Sequence, residues 1–239
     1  MLKFVIIRKE ESKYLQFAEP SLKRLKQAQT CDIYPTDDKG IAHYYNKGLQ
    51  AYLNQQITDE DIICFMHQDV SILDPYFTEK LEKVFKIKPE IAALGIAGSS
   101  ILPESGHWFE NPDEVKGQWI QSVGDKTIVM NKGKIGYYDD ILTTHKALIC
   151  VRPFIFKEGL RFDEELKIDY NVTDLCLQIL DRGYKIAIAD ILIHHESERE
   201  GNFNIDYFKY KYESMGYKFP ITLDQFKNLN NLEGAEIVL

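Results

Sequence analysis

No apolar run in this chain approaches the roughly 20 residues that a membrane-spanning helix requires. The opening stretch, Met1-Leu2-Lys3-Phe4-Val5-Ile6-Ile7-Arg8-Lys9, is interrupted by charge too soon to form a signal-peptide core, so a cytoplasmic protein without an integral membrane segment is expected. Cysteine is scarce as well. Cys31, Cys64, Cys150 and Cys176 show no C-x-x-C spacing, and three of them sit in apolar segments, which reads as reduced core thiols. Positive charge is in deficit: 29 Lys and Arg against 37 Asp and Glu leave a net charge of -8. That balance argues against nucleic acid or an anionic membrane as a nonspecific partner, because both reward clustered cations. Glycine-rich phosphate loops of the P-loop or dinucleotide type are missing too, as are internal repeats, so ATP hydrolysis and NAD chemistry lose support.

What is present is ordinary globular material, 239 residues with 44% hydrophobic and 28% charged side chains, enough for one large α/β domain. Short apolar runs rich in Val, Ile and Phe recur at residues 4–7, 62–66, 91–96, 147–151 and 186–193, as expected of strands covered on both faces. Helix-like stretches fall at 14–28, 41–53, 75–85 and 173–182, the last with Asn171 or Thr173 as cap and Gly183 just past its end. The alternation predicts a mostly parallel sheet with helices on both faces, in a single domain over 1–239. Residues 99–140 read as an insertion containing a hairpin at 119–123 and 126–130, and residues 196–239 as a helical tail rich in tyrosine.

Three segments carry residues suited to chemistry. His67-Gln68-Asp69 follows the buried strand at 62–66 and so falls at a strand's carboxyl end, the edge where open α/β sheets bind ligands. A carboxylate with no cation beside it in sequence suits a divalent metal that bridges diphosphate oxygens, though Asp69 as a simple turn cap is the plainer alternative. His194-His195-Glu196 ends the run at 186–193, and successive strand residues face opposite ways, so at most one of the two histidines shares a cleft with Asp69. An imidazole beside a hard-cation site favours Mn²⁺ over Mg²⁺. Asp163, Glu164, Glu165, Asp169 and Asp174 precede or open the last helix, where acidic groups also suit the helix dipole.

The order of these segments resembles the family-two glycosyltransferases, in particular a bacterial group described as glycosyltransferase-like. The likeness rests on four stretches. These are Ile41-Ala42-His43-Tyr44-Tyr45-Asn46-Lys47-Gly48-Leu49, then Phe65-Met66-His67-Gln68-Asp69-Val70, then Phe162-Asp163-Glu164 with Thr173-Asp174-Leu175-Cys176-Leu177-Gln178, then Arg182-Gly183-Tyr184-Lys185-Ile186. It implies a GT-A fold whose residues 1–98 bind a nucleotide-diphosphate sugar and whose residues 99–195 form the acceptor-side half. It also implies a divalent metal, Mn²⁺ or Mg²⁺, and inversion at the anomeric carbon. By the same resemblance Asn46, His67, Gln68 and Asp69 bind the donor, Asp69 with His194 or His195 ligates the metal, and Asp169 or Asp174 is the base. His107, Trp108, Asp163 and Glu164 face the acceptor, a glycan or other hydroxyl compound such as a polysaccharide precursor, which would hold the enzyme peripherally at a membrane if lipid-borne. Asp32 or Asp37 would lie near the base or ribose.

Two positions depart from that family pattern. Val172 stands where an acidic residue is usual, and His145-Lys146 replaces an Asp-Gly pair. These departures keep open a nucleotide-sugar or glycan-binding module that does not turn its ligand over, and the pairing of Asp69 with His194 or His195 leaves a third reading, a metal-dependent nucleotidyltransferase or hydrolase on the same kind of sheet.

Overall fold

A computed structural model describes residues 1–25, 28–55, 57–132, 136–197 and 205–226. Parts of the expected insertion and tail, at 133–135, 198–204 and 227–239, lie outside the described residues. The chain opens with strand β1 (Leu2–Ile7), whose side chains are buried from Leu2 to Ile6. It continues through helix α1 (Glu11–Lys13), a π-helical turn at Tyr14–Ala18 and helix α2 (Glu19–Leu22) to strand β2 (Ala28–Ile33). The helix expected over 14–28 therefore stops early, and its last residue opens a strand. Helix α3 (Ile41–Leu53), strand β3 (Ile62–His67), the short strand β4 (Val70–Ile72), helix α4 (Phe77–Ile87) and strand β5 (Ile91–Gly95) follow.

Strands β6 (Ala97–Ser99) and β7 (Ile101–Leu102) lead to a long hairpin of β8 (Val115–Val123) and β9 (Lys126–Lys132). Val123 pairs with Lys126 across Gly124-Asp125, and Gly124 adopts φ 57°, so the hairpin read at 119–130 forms and extends further than its sequence signal. Then come β10 (Thr143–Thr144), β11 (Leu148–Val151), α5 (Pro153–Lys157), α6 (Asn171–Asp181), β12 (Lys185–Ile188), β13 (Ile193–Glu196), α7 (Ile205–Ser214) and β14 (Ile221–Thr222).

Two six-stranded sheets result. The first has the order β12-β5-β11-β3-β1-β2, all parallel except β11, and the second the order β10-β6-β8-β13-β4 with β9 against β8. β7 and β14 form a separate two-stranded pair. The run 186–193 is thus not one strand. It breaks after Ile188, and its second part joins the other sheet, placing His194 and His195 in β13 between β8 and β4.

The core of the first sheet is aromatic at its centre. Phe65, on β3, packs edge-on against Tyr45, Phe156 and Phe162, with ring centroids 4.7–5.7 Å away. Edge-to-face contacts of this kind add to the area that such rings bury. Helix α3 approaches β1 so closely that a Cβ on Gly48 would sit 2.3 Å from Val5 Cγ1. Helix α6 starts otherwise than its sequence suggests: its cap is Tyr170, held at φ 62°, and Asn171 instead donates its amide to the Ile168 carbonyl at 3.0 Å.

Candidate active site

The chain crosses between the two large sheets five times, once through α4 and four times by short links, at Gln68-Asp69, at Ile96, at His145-Lys146-Ala147 and at residues 189–192. These crossings are laced together: His67 N–H donates to the Ala147 carbonyl at 3.0 Å, His145 N–H to Ala97 at 2.7 Å and Glu196 N–H to Asp69 at 2.9 Å. All of this lies at the carboxyl edge of the parallel strands, where α/β sheets bind ligands.

Three side chains converge there. One ligand atom from each of His67, Asp69 and His195 falls within 4.8 Å of the others, and among the described residues this is the group arranged to hold a metal ion. Asp69 Oδ1 lies 3.5 Å from His195 Nε2 and 4.0 Å from His67 Nδ1, yet it is buried and takes no hydrogen bond. Burial opposes the Asp69 charge, but the imidazoles of His195 and His67 hold its pKa below the usual carboxylate value. Burial also pushes the His67 pKa down to about 3, against the opposing charge of Asp69, which leaves a neutral ring with a lone pair. An ionised carboxylate and neutral imidazole nitrogens are the protonation states that ligate a divalent cation, and an orphaned buried carboxylate oxygen is otherwise costly. The residues fit such an ion.

His194 is not part of this group. Its ring points to the other face of β13, where Nε2 is 2.8 Å from Ser122 Oγ and the ring meets Phe17 edge-on. Beside the cluster stands His145, half-buried and held well below the ordinary imidazole pKa by desolvation, its centroid 5.4 Å from His195. His145 in turn packs against Trp119 and Trp108, which touch each other at 6.0 Å. Both tryptophans are buried, so neither presents an open face to a sugar ring, and Trp119 Nε1 is itself without a hydrogen-bond partner. His107 stacks near Phe109 and Tyr170 in the same insertion.

The acidic candidates separate by what they touch. Lys146 Nζ bonds Asp169 Oδ1 at 2.6 Å, while the other oxygen of Asp169, a buried residue, has no partner. Asp174 is fully buried with both oxygens engaged, Oδ1 by Lys211 and Tyr212 and Oδ2 by Gln178. Burial raises its pKa despite Lys211. Its carboxylate anchors α7 to α6 and is not offered to a ligand, which corrects its reading as a base. Asp163 is likewise tied to Lys211 and Tyr207, and Glu164 to Asn46 and His43. Asn46 clamps the backbone of Phe162 in both directions, and Gln68 accepts from the amides of Lys9 and Glu10. These four read as fasteners of the loops around the site. Asp37 is held by Tyr44, and Asp32 by Arg8, whose guanidinium lies 3.7 Å from the Tyr14 ring centre.

The carbonyl and imidazole partners of Gln121, on β8 beside His195, carried no signal in the sequence, because its strand reads as half of a simple hairpin.

No curated protein matches the chain. Among solved structures, one of GalNAc-T7 with UDP, GalNAc and Mn²⁺ is similar, with a TM-score of 0.56 and 12% identity over 84% of this chain and 44% of that one. So is the mannosyltransferase PcManGT from Pyrobaculum calidifontis with GDP-Man and Mn²⁺, with a TM-score of 0.52 and 9% identity over 88% of this chain and 59% of that one. The chain spans about half the length of these proteins. At such identities the likeness is one of fold, and the fold is the GT-A arrangement of glycosyltransferases. The pattern of the glycosyltransferase-like family matches residues 4–214, and the chain belongs to that family.

Proposed function

We propose that this protein transfers a sugar from a nucleotide-diphosphate donor to a hydroxyl group of a glycan or other acceptor, with inversion at the anomeric carbon. The observation that carries the reading is Asp69 Oδ1, buried without a hydrogen bond and facing two imidazoles at the ligand-binding edge of a GT-A sheet. His67, Asp69 and His195 would hold a divalent cation, and their mixed nitrogen and oxygen set suits Mn²⁺. Bound there, the cation supplies charge that neutralises a diphosphate and eases its departure.

Asp169 is the carboxylate best placed to take the proton of the attacking hydroxyl, because its Oδ2 is free of protein partners while Lys146 fixes the other oxygen. Lys146 also adds positive charge beside the cluster, where it lowers the pKa of both His67 and His145. Val172 is buried, so the missing acidic residue of the family pattern is replaced by one three positions earlier, at the start of the unusual Tyr170 turn. The Lys146–Asp169 pair also favours the second reading, a donor-binding module, since it occupies half of the base.

Titration calorimetry with UDP and GDP, with and without Mn²⁺, tests the donor half. Binding of one of them that needs both Mn²⁺ and Asp69 is the expected result, and failure of both nucleotides to bind in the presence of Mn²⁺ defeats the assignment. Release of nucleoside diphosphate from a nucleotide sugar then separates transferase from binding module.

A further inference from the structure

We infer that Gln121 is a positioning residue for the metal site: it fixes His195 as the Nδ1–H tautomer and so turns the Nε2 lone pair toward Asp69. The inference rests on the metal reading above and deepens it. The orientation of the Gln121 amide is set by its surroundings. Its nitrogen lies 3.3 Å from the Ser122 carbonyl and 3.2 Å from the His195 carbonyl, and backbone carbonyls can only accept. The amide oxygen is then the atom 3.1 Å from His195 Nδ1, and because it can only accept, Nδ1 must donate.

A neutral His195 ring with its proton on Nδ1 carries a lone pair on Nε2. That lone pair faces Asp69 Oδ1 at 3.5 Å, an oxygen with no hydrogen-bond donor of its own. Two acceptors directed at one another are repulsive unless a proton or a metal ion lies between them, and the lone-pair arrangement is the one that a ligated metal requires. Histidines that bind metals usually donate their second ring N–H to a protein acceptor, which fixes tautomer and ring orientation. Gln121 fills that place, and it also grips the His195 backbone, so ring and main chain are held by one side chain. The register that pairs His195 with Gln121 between β13 and β8 puts both on one face of the second sheet.

The test uses two readouts on the full-length protein. Long-range proton–nitrogen NMR on histidine-labelled, metal-free protein at pH 8, with His195 assigned through His195→Asn, reports which ring nitrogen is protonated. The expected result is Nδ1–H in the wild type, retained in Gln121→Glu, which keeps an acceptor, and lost in Gln121→Leu. Mn²⁺ affinity, read by electron paramagnetic resonance of the free ion, should fall about 10- to 100-fold in Gln121→Leu and much less in Gln121→Glu. An Nε2–H or doubly protonated ring in the wild type overturns the role of Gln121 even if Mn²⁺ binds normally. Wild-type protein that has the expected tautomer but binds no Mn²⁺ overturns the metal reading itself. Equal Mn²⁺ affinity in wild type and a folded Gln121→Leu variant also overturns the inference.

Discussion

Lys146 Nζ lies 2.6 Å from one carboxylate oxygen of Asp169, and the other oxygen of that buried carboxylate has no partner at all. The pair joins the link before β11 to the turn before α6, and it fixes an acidic group that keeps an unused acceptor. Asp169→Asn should therefore lower sugar transfer or donor hydrolysis by about 10² to 10⁴-fold, the range ascribed to a lost general base. UDP and Mn²⁺ affinity should stay within a few-fold. Equal losses in binding and turnover would instead place Asp169 in the donor pocket.

Asp69 is expected to add stability when a metal is bound. Mn²⁺ at about 100 times its dissociation constant should stabilise the wild type by about 2.7 kcal/mol, seen as a rise in melting temperature reversed by EDTA. Asp69→Asn should show no such rise. A metal-dependent rise that persists in Asp69→Asn would show that the carboxylate is not a ligand.

Gly48 lies on the α3 face that meets β1, and it stands in the stretch that resembles the family. Alanine is the better helix former by about 1 kcal/mol, but here its Cβ would fall 2.3 Å from Val5 Cγ1. The steric term should win, with a net loss of about 1–3 kcal/mol for Gly48→Ala in urea unfolding at unchanged m value. Adding Val5→Ala should recover part of it. A stabilised single variant would show that helix and strand can part without penalty.

The loop carrying Asp163 should make stability depend on acid pH. Burial opposes the Asp163 charge, but the hydrogen bond and charge of Lys211 bring its pKa below the ordinary 3.8. A carboxylate depressed in the folded state stabilises above its unfolded pKa and loses that contribution as pH falls through the folded value. The stability difference between wild type and Asp163→Asn should thus be about 1–2 kcal/mol at pH 6, given a partly shielded charged hydrogen bond, and shrink as the pH falls through the depressed folded value. A difference that persists unchanged at low pH would show that the charge is not its source.

Much of the first sheet is legible in the sequence because its strands are buried on both faces, so Ile62-Ile63-Cys64-Phe65-Met66 and Ile91-Ala92-Ala93-Leu94 stand out as apolar runs. Apart from its β8–β9 hairpin, the second sheet is not. Its pieces at 70–72, 97–99 and 143–144 are two or three residues long and carry no period of their own. The start of α6 was hidden for another reason: no local rule anticipates a tyrosine at φ 62°, which is held by Phe208 stacked 4.8 Å away on a helix far along the chain.

The sequence by itself determined the family and the alternation of strands and helices. It also placed a carboxylate, Asp69, at the end of a buried strand, since each of these depends on residue type and local order. Only the tertiary structure decided which histidine stands with Asp69, that Asp174 is consumed by Lys211 and Tyr212, and that Asp169 keeps a free oxygen. The reason is that these facts depend on where the chain crosses from one sheet to the other. A break after Ile188 sends His195 into the second sheet opposite Gln121, and pairing across such distances is set by packing that no short stretch of sequence contains.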